Sequence, residues 1–92
     1  MVQGSVLQLP GAQAPLLFSA PSVPAARRSM ALWRSTDGGR TFTRALTLSD
    51  RPAAYSDLVR IDADTVGLLY ETGTKGPYET IEFRRLPAGA VR

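Results

Sequence analysis

An all-β fold of short antiparallel strands is what this sequence predicts, on three observations. Apolar or alternating runs of roughly five to eight residues recur along the chain, each bounded by proline, glycine or aspartate. None of them repeats at the 3.6-residue spacing of a helix face. Between two such runs stands Asp37-Gly38-Gly39, which supplies the positive-φ residues of a tight hairpin turn.

The elements follow in order. Ser5 to Leu9 and Pro15 to Ser19, split by Pro10-Gly11, read as strand, turn and strand, with Leu16-Leu17-Phe18 fully buried. Ala20 to Ala26 holds Pro21 and Pro24; proline has no N–H for a ladder, so this stretch is expected as a loop that delivers Arg27 and Arg28 to the next element. Ser29 to Ser35 alternates Met30, Leu32 and Arg34 against Ala31, Trp33 and Ser35, as a strand does, and Thr41 to Leu48 returns after the glycine turn. Ser49-Asp50-Arg51-Pro52 breaks the pattern. It restarts with Asp57 to Ile61, Thr65 to Glu71 and Thr80 to Leu86, and Pro87-Ala88-Gly89-Ala90 is expected as a frayed tail. The tight turn at Asp62-Ala63-Asp64 brings Tyr55, at the mouth of one strand, close to Glu71, at the end of the next.

Four strands in about 45 residues match the repeat length of a β-propeller blade. Three more strands follow. Closed propellers commonly complete their last blade with a strand from the far end of the chain. The expectation is therefore about two blades, four strands plus three, forming the C-terminal piece of a larger propeller whose earlier blades are missing.

The 92 residues, 43% hydrophobic and 21% charged, describe one globular domain at most, and such a small domain usually leans on disulfides, metals or helices. Cysteine and histidine are both absent, which excludes disulfides, thiolate and imidazole metal sites and histidine-dependent triads within this chain; no metal and no cofactor is expected. The chemistry left is that of carboxylates, arginines, hydroxyls and tyrosines. A net charge of +3 invites a nucleic-acid reading, but the ten arginines are scattered singly or in pairs, one lysine accompanies them, and no aromatic-interleaved basic stripe is present, so nucleic acid is not expected as a partner. No apolar run approaches the roughly 20 residues of a membrane span, so no membrane is expected either. Met1-Val2-Gln3-Gly4 lacks the basic and apolar regions of a signal peptide, and any export signal would lie outside this chain.

Ser35-Thr36-Asp37-Gly38-Gly39-Arg40-Thr41-Phe42 fits the pattern Ser-x-Asp-x-Gly-x-Thr-Trp/Phe of the Asp-box, or bacterial neuraminidase repeat. Its chemistry is structural: of its residues Ser35, Asp37, Gly39, Thr41 and Phe42, the aspartate accepts backbone and hydroxyl hydrogen bonds across the hairpin, the glycine supplies the turn, and the aromatic ring packs into the blade. The Asp-box is shared by unrelated propellers. Ala54-Tyr55-Ser56-Asp57-Leu58 followed by Gly67-Leu68-Leu69-Tyr70-Glu71 is more specific, and with Gln3 to Leu9, Phe18-Ser19-Ala20-Pro21, Arg27 and Ile81-Glu82-Phe83 in the same order, the chain resembles the C-terminal part of a bacterial exo-α-sialidase over nearly its whole length.

The resemblance implies a partial catalytic domain over residues 1–92 of a six-bladed propeller, a sialylated glycan as substrate and the remaining blades as partners; proteins of that family are often secreted or at the cell surface. It implies Tyr55 as the nucleophile of a retaining glycoside hydrolase. Sialic acid carries a carboxylate on its anomeric carbon, which a neutral phenol approaches without the repulsion an attacking carboxylate would meet; sialidases depart in this way from the paired carboxylates of most glycoside hydrolases. Without its flanking match, Tyr55 reads as a strand-edge aromatic with its hydroxyl in water. Arg27 resembles the third member of the arginine triad that clamps the substrate carboxylate, with Arg28 as its rival because a shift of one residue changes the face of a strand. The two also fit a solvated pair. Glu71 corresponds to the carboxylate that orients the first triad arginine, and equally fits an exposed strand-end glutamate. The base partner of Tyr55, the acid/base aspartate and two arginines have no match here, so this chain alone is expected to be inactive. The alternative is a noncatalytic Asp-box segment that binds carbohydrate or protein.

Overall fold

A computed structural model of the chain describes residues 4–11, 14–23 and 27–91. These form seven strands: β1 Ser5–Gln8, β2 Leu16–Val23, β3 Arg28–Ser35, β4 Thr43–Thr47, β5 Ala53–Asp62, β6 Thr65–Thr72 and β7 Thr80–Pro87. They make two antiparallel sheets, one of four strands in the order β1-β2-β3-β4 and one of three in the order β5-β6-β7. The all-β class and the four-plus-three division follow the sequence reading, and no α-helix occurs among the described residues.

Each sheet is a meander because its turns are short and carry the right residues. Gly38 and Gly39 at φ 76° and 93° open the β3–β4 turn, where a side chain would be strained. At the β5–β6 turn Asp62 accepts the N–H of Asp64 at 2.8 Å, the local bond that makes aspartate a turn former.

The two sheets share one apolar core. Leu17, Met30 and Leu32 from the first meet Leu58, Val66, Leu68 and Tyr70 from the second, all buried. β5, an edge strand of its own sheet, is the element that lies against β1, β2 and β3. Ser19 and Ser56 hydroxyls meet at 2.8 Å across this junction, and the Leu58 N–H donates to the Ser5 hydroxyl at 3.0 Å.

Three expectations need correction. Pro21 lies inside β2, opposite Met30, so the expected loop begins later; its positions 24–26 lie outside the described residues. Among the described residues β1 pairs with β2 as far as Ser5 opposite Ser19, so no described strand residue asks Pro21 for an N–H on that side. In the run Leu16-Leu17-Phe18 only Leu17 is fully buried. The expected frayed tail is instead a 3-10 turn over Ala88–Ala90, fastened by the Ala88 N–H to the Asp64 carbonyl at 2.8 Å, and it seats Val91 in the core.

Candidate functional site

The antiparallel topology gathers the start of β3, β5 and β7 and the end of β2, β4 and β6 at one rim. The Asp-box, the β5–β6 turn and the C-terminal 3-10 turn lie at the other end. The rim is stitched across the two sheets. Arg28 bridges Pro52, the Ser29 N–H donates to the Arg51 carbonyl at 2.8 Å, and the Ala53 N–H donates to the Arg27 carbonyl at 2.6 Å. Arg27 and Ser29 hold left-handed backbones at φ 49° and 63°, a conformation that costs non-glycine residues energy and persists where surrounding bonds impose it.

β5 bulges at this rim. Ala53 pairs with Thr72 and Ser56 with Tyr70, so Ala54 and Tyr55 together oppose the single residue Glu71. The Tyr55 N–H, displaced from the ladder, donates to Glu71 Oε1 at 3.3 Å. The expected proximity of Tyr55 and Glu71 is thus present, with Tyr55 the third residue of a longer strand. Tyr55 is 47% exposed. With Leu69, Glu71 and Ile81 it lines a shallow pocket of about 140 Å³. Glu71 has no cationic partner among the described residues.

Arg27 and Arg28, the two candidates for a carboxylate clamp, part company. Arg28 is exposed and spends its Nε on the Asp50 carbonyl at 3.0 Å. The half-buried Arg27 sets its guanidinium carbon 5.8 Å from the centroid of the Tyr78 ring and makes no ion pair among the described residues.

Beneath the rim lies a charged cluster that the sequence reading did not isolate. Glu82 receives Arg51 Nη2 at 2.5 Å, Arg84 Nε at 2.8 Å and the Tyr70 hydroxyl at 2.9 Å. These donors, Arg84 foremost, hold the Glu82 carboxyl down at about 2. Burial, and then the neighbouring carboxylate, push the Tyr70 phenol up. Tyr70 is therefore a packed, hydrogen-bonded core residue and Tyr55 the free phenol. A weak signal was available: Glu82, Arg84 and Leu86 alternate onto one face of β7, the face turned inward.

The Asp-box closes its hydrogen bonds around Asp37, while Phe42, expected to pack inward, stays exposed. Asp37 Oδ1 accepts the N–H groups of Arg40 and Thr41 at 3.0 and 2.9 Å and the Ser35 hydroxyl at 2.7 Å, while Oδ2 accepts the Thr41 hydroxyl at 2.5 Å. The Gly39 N–H donates to the Ser35 hydroxyl at 2.9 Å, and Phe42 stacks at a tilt on Phe18, centroids 5.9 Å apart. Thr41 above all keeps the Asp37 carboxyl far below the ordinary range, so it stays charged and fully engaged. Nothing here is poised for proton transfer.

Among the described residues no group of three or more acidic side chains is arranged to hold a metal ion. The chain matches no protein-family model and no curated protein.

Proposed function

We propose that the chain contributes the nucleophile-bearing wall of a sialidase-type glycoside hydrolase built as a six-bladed propeller, with its two sheets as two blades. The observation that carries this reading is Tyr55. It is an exposed phenol on a bulge at a pocket lip, its main chain held by a carboxylate that has no cation of its own among the described residues.

In this reading the Tyr55 oxygen attacks the anomeric carbon of a terminal sialic acid. The bond to the leaving glycan breaks as the tyrosyl-sugar bond forms; the leaving oxygen takes a proton from an acid, and the phenolic proton passes to a base, both supplied from outside this chain. Water, giving a proton back to the same acid/base group, then displaces the tyrosine, whose oxygen recovers its proton from the base, and sialic acid leaves with retained configuration. Arg27 takes the sugar carboxylate through its paired N–H groups. Glu71 steadies an arginine that comes from another blade.

Two further features support a chain that works beside missing walls. A pocket of about 140 Å³ is smaller than the roughly 300 Å³ at which small-molecule sites begin, too small to bury a nine-carbon sugar. The sheet β5-β6-β7 also turns Ile81 and Phe83 outward, 63% and 49% exposed, while Glu82 and Arg84 face the interior. That is the pattern of a sheet meant to be covered on both sides.

The test is Tyr55→Phe in the protein assembled with the remaining blades. Turnover of a sialoside should vanish while sialic acid still binds. Unchanged turnover, or binding without hydrolysis by the parent protein, would refute the enzymatic reading and leave a noncatalytic binding segment. An in-frame coding extension upstream of Met1 that carries further arginines and a glutamate is the companion observation.

A further inference from the structure

We infer that Tyr78 is a positioning residue for Arg27, its ring fixing the guanidinium plane so that the N–H edge stays open to a carboxylate. This rests on the reading of Arg27 as a carboxylate clamp and extends it to a loop that no motif marks.

Guanidinium donors all lie in the plane of the group, so an arginine can be steadied either at its edge, by an anion, or on its face, by an aromatic ring. Only the second leaves the edge for a ligand. The rim region contains both cases. Arg51 and Arg84 are steadied at the edge by Glu82, and Arg28 gives its Nε to a carbonyl. Arg27 has no ion-pair partner at its edge among the described residues, and its guanidinium carbon lies 5.8 Å from the Tyr78 centroid, inside the roughly 6 Å range of a cation–π contact. Its backbone is fixed independently, because the Arg27 carbonyl is bonded to the start of β5.

The loop that carries the ring is held. Tyr78 belongs to the 73–79 connection between β6 and β7, which is wrapped around the carboxylate of the next residue, Glu79. Its Oε1 accepts the Thr74 N–H at 3.0 Å, and its Oε2 accepts the N–H groups of Lys75 and Gly76, each at 3.0 Å. The closeness of this wrapping requires Gly73, where a Cβ would stand 2.2 Å from the Gly76 carbonyl oxygen. A loop built so firmly, ending in an exposed tyrosine against an arginine, is organised to place that ring.

The test uses the 92-residue chain with Tyr78→Ala and Tyr78→Phe. Tyr78 is exposed, so neither change threatens the core. The NMR signal of the Arg27 Nε–Hε group reports the ring directly. It should be ring-shifted and ordered in the parent and in Tyr78→Phe, and averaged and mobile in Tyr78→Ala. Titration with N-acetylneuraminate and, separately, with glucuronate follows the same signal, and Tyr78→Ala should weaken carboxylate binding about fivefold, with Tyr78→Phe restoring it. An Arg27 signal that ignores all three side chains overturns the inference, as does equal affinity in Tyr78→Ala, or a parent chain that binds neither acid. Glucuronate binding that depends on Tyr78 without any N-acetylneuraminate binding upholds the positioning role and defeats the sialidase-type reading.

Discussion

The Tyr55 amide is bonded to the Glu71 carboxylate across a two-against-one bulge, so one side chain holds the backbone that presents the other. A bulge kinks its strand and re-aims the side chain on it, and here it lifts the phenol to the pocket lip.

Glu71→Ala should release that presentation. The bond is long and near solvent, so the expected loss is about 1 kcal/mol in urea unfolding, with faster hydrogen exchange at the Tyr55 amide. Glu71→Gln, which keeps an acceptor oxygen, should retain most of the protection. Equal exchange in all three proteins would mean that the bulge holds itself.

Tyr70 gives the opposite expectation to Tyr55, although both are tyrosines of the same hairpin. Tyr70→Phe removes one of three donors from Glu82 and should cost about 1 kcal/mol, whereas Tyr70→Ala opens a cavity in a site that is 1% exposed and should cost about 3–5 kcal/mol. Tyr55→Phe should change stability by less than about 0.5 kcal/mol, since its ring is exposed. Denaturant midpoints of the three variants decide this.

Acid should weaken the fold through Glu82. Its carboxyl is held at about 2, below the ordinary 4.5, so its contribution is fully present above about 4.5 and disappears as pH falls toward 2. Asp37, Asp62 and Glu79 are shifted in the same direction and add to the same loss. Glu82→Gln should be less stable at neutral pH and show a shallower decline between pH 4.5 and 2, read by thermal melts across that range.

The elements legible in the sequence were those written locally. The Asp-box turn, the glycines that shape it and the meander of β5, β6 and β7 are each specified within a few neighbouring residues. Tyr55 and Glu71 were legible as a pair because a tight turn fixes the register of the two strands that carry them. Pro21 misled because its place in β2 is set by pairing with Met30 of another strand, a contact that no local pattern shows. Val91 misled because nothing local distinguishes a buried terminus from a loose one. The Glu82 cluster draws on the β4–β5 connection, β6 and β7, and it sets two charged side chains, Glu82 and Arg84, beside Leu86 on the inward face of β7, which no local pattern foretells.

The uncovered face yields the last prediction. Val59, Leu69, Ile81 and Phe83 are all exposed on the side of β5-β6-β7 away from the core, where Leu69 stands opposite Phe83, Val59 opposite Gly67 and Ile81 opposite Glu71. Phe83 and Val59 also crowd Gly67 closely enough that any side chain there would collide with them, so the face is tightly fitted although open to water. Contiguous apolar surface of this kind associates or binds hydrophobic probes. The isolated chain should bind an anilinonaphthalene dye and sediment with a concentration-dependent increase in mass, whereas Ile81→Lys combined with Phe83→Lys should abolish both while the circular dichroism of the strands is kept. A parent chain that stays monomeric and dark to the dye at high concentration would show that the face needs no cover, and would remove one support for a larger assembly.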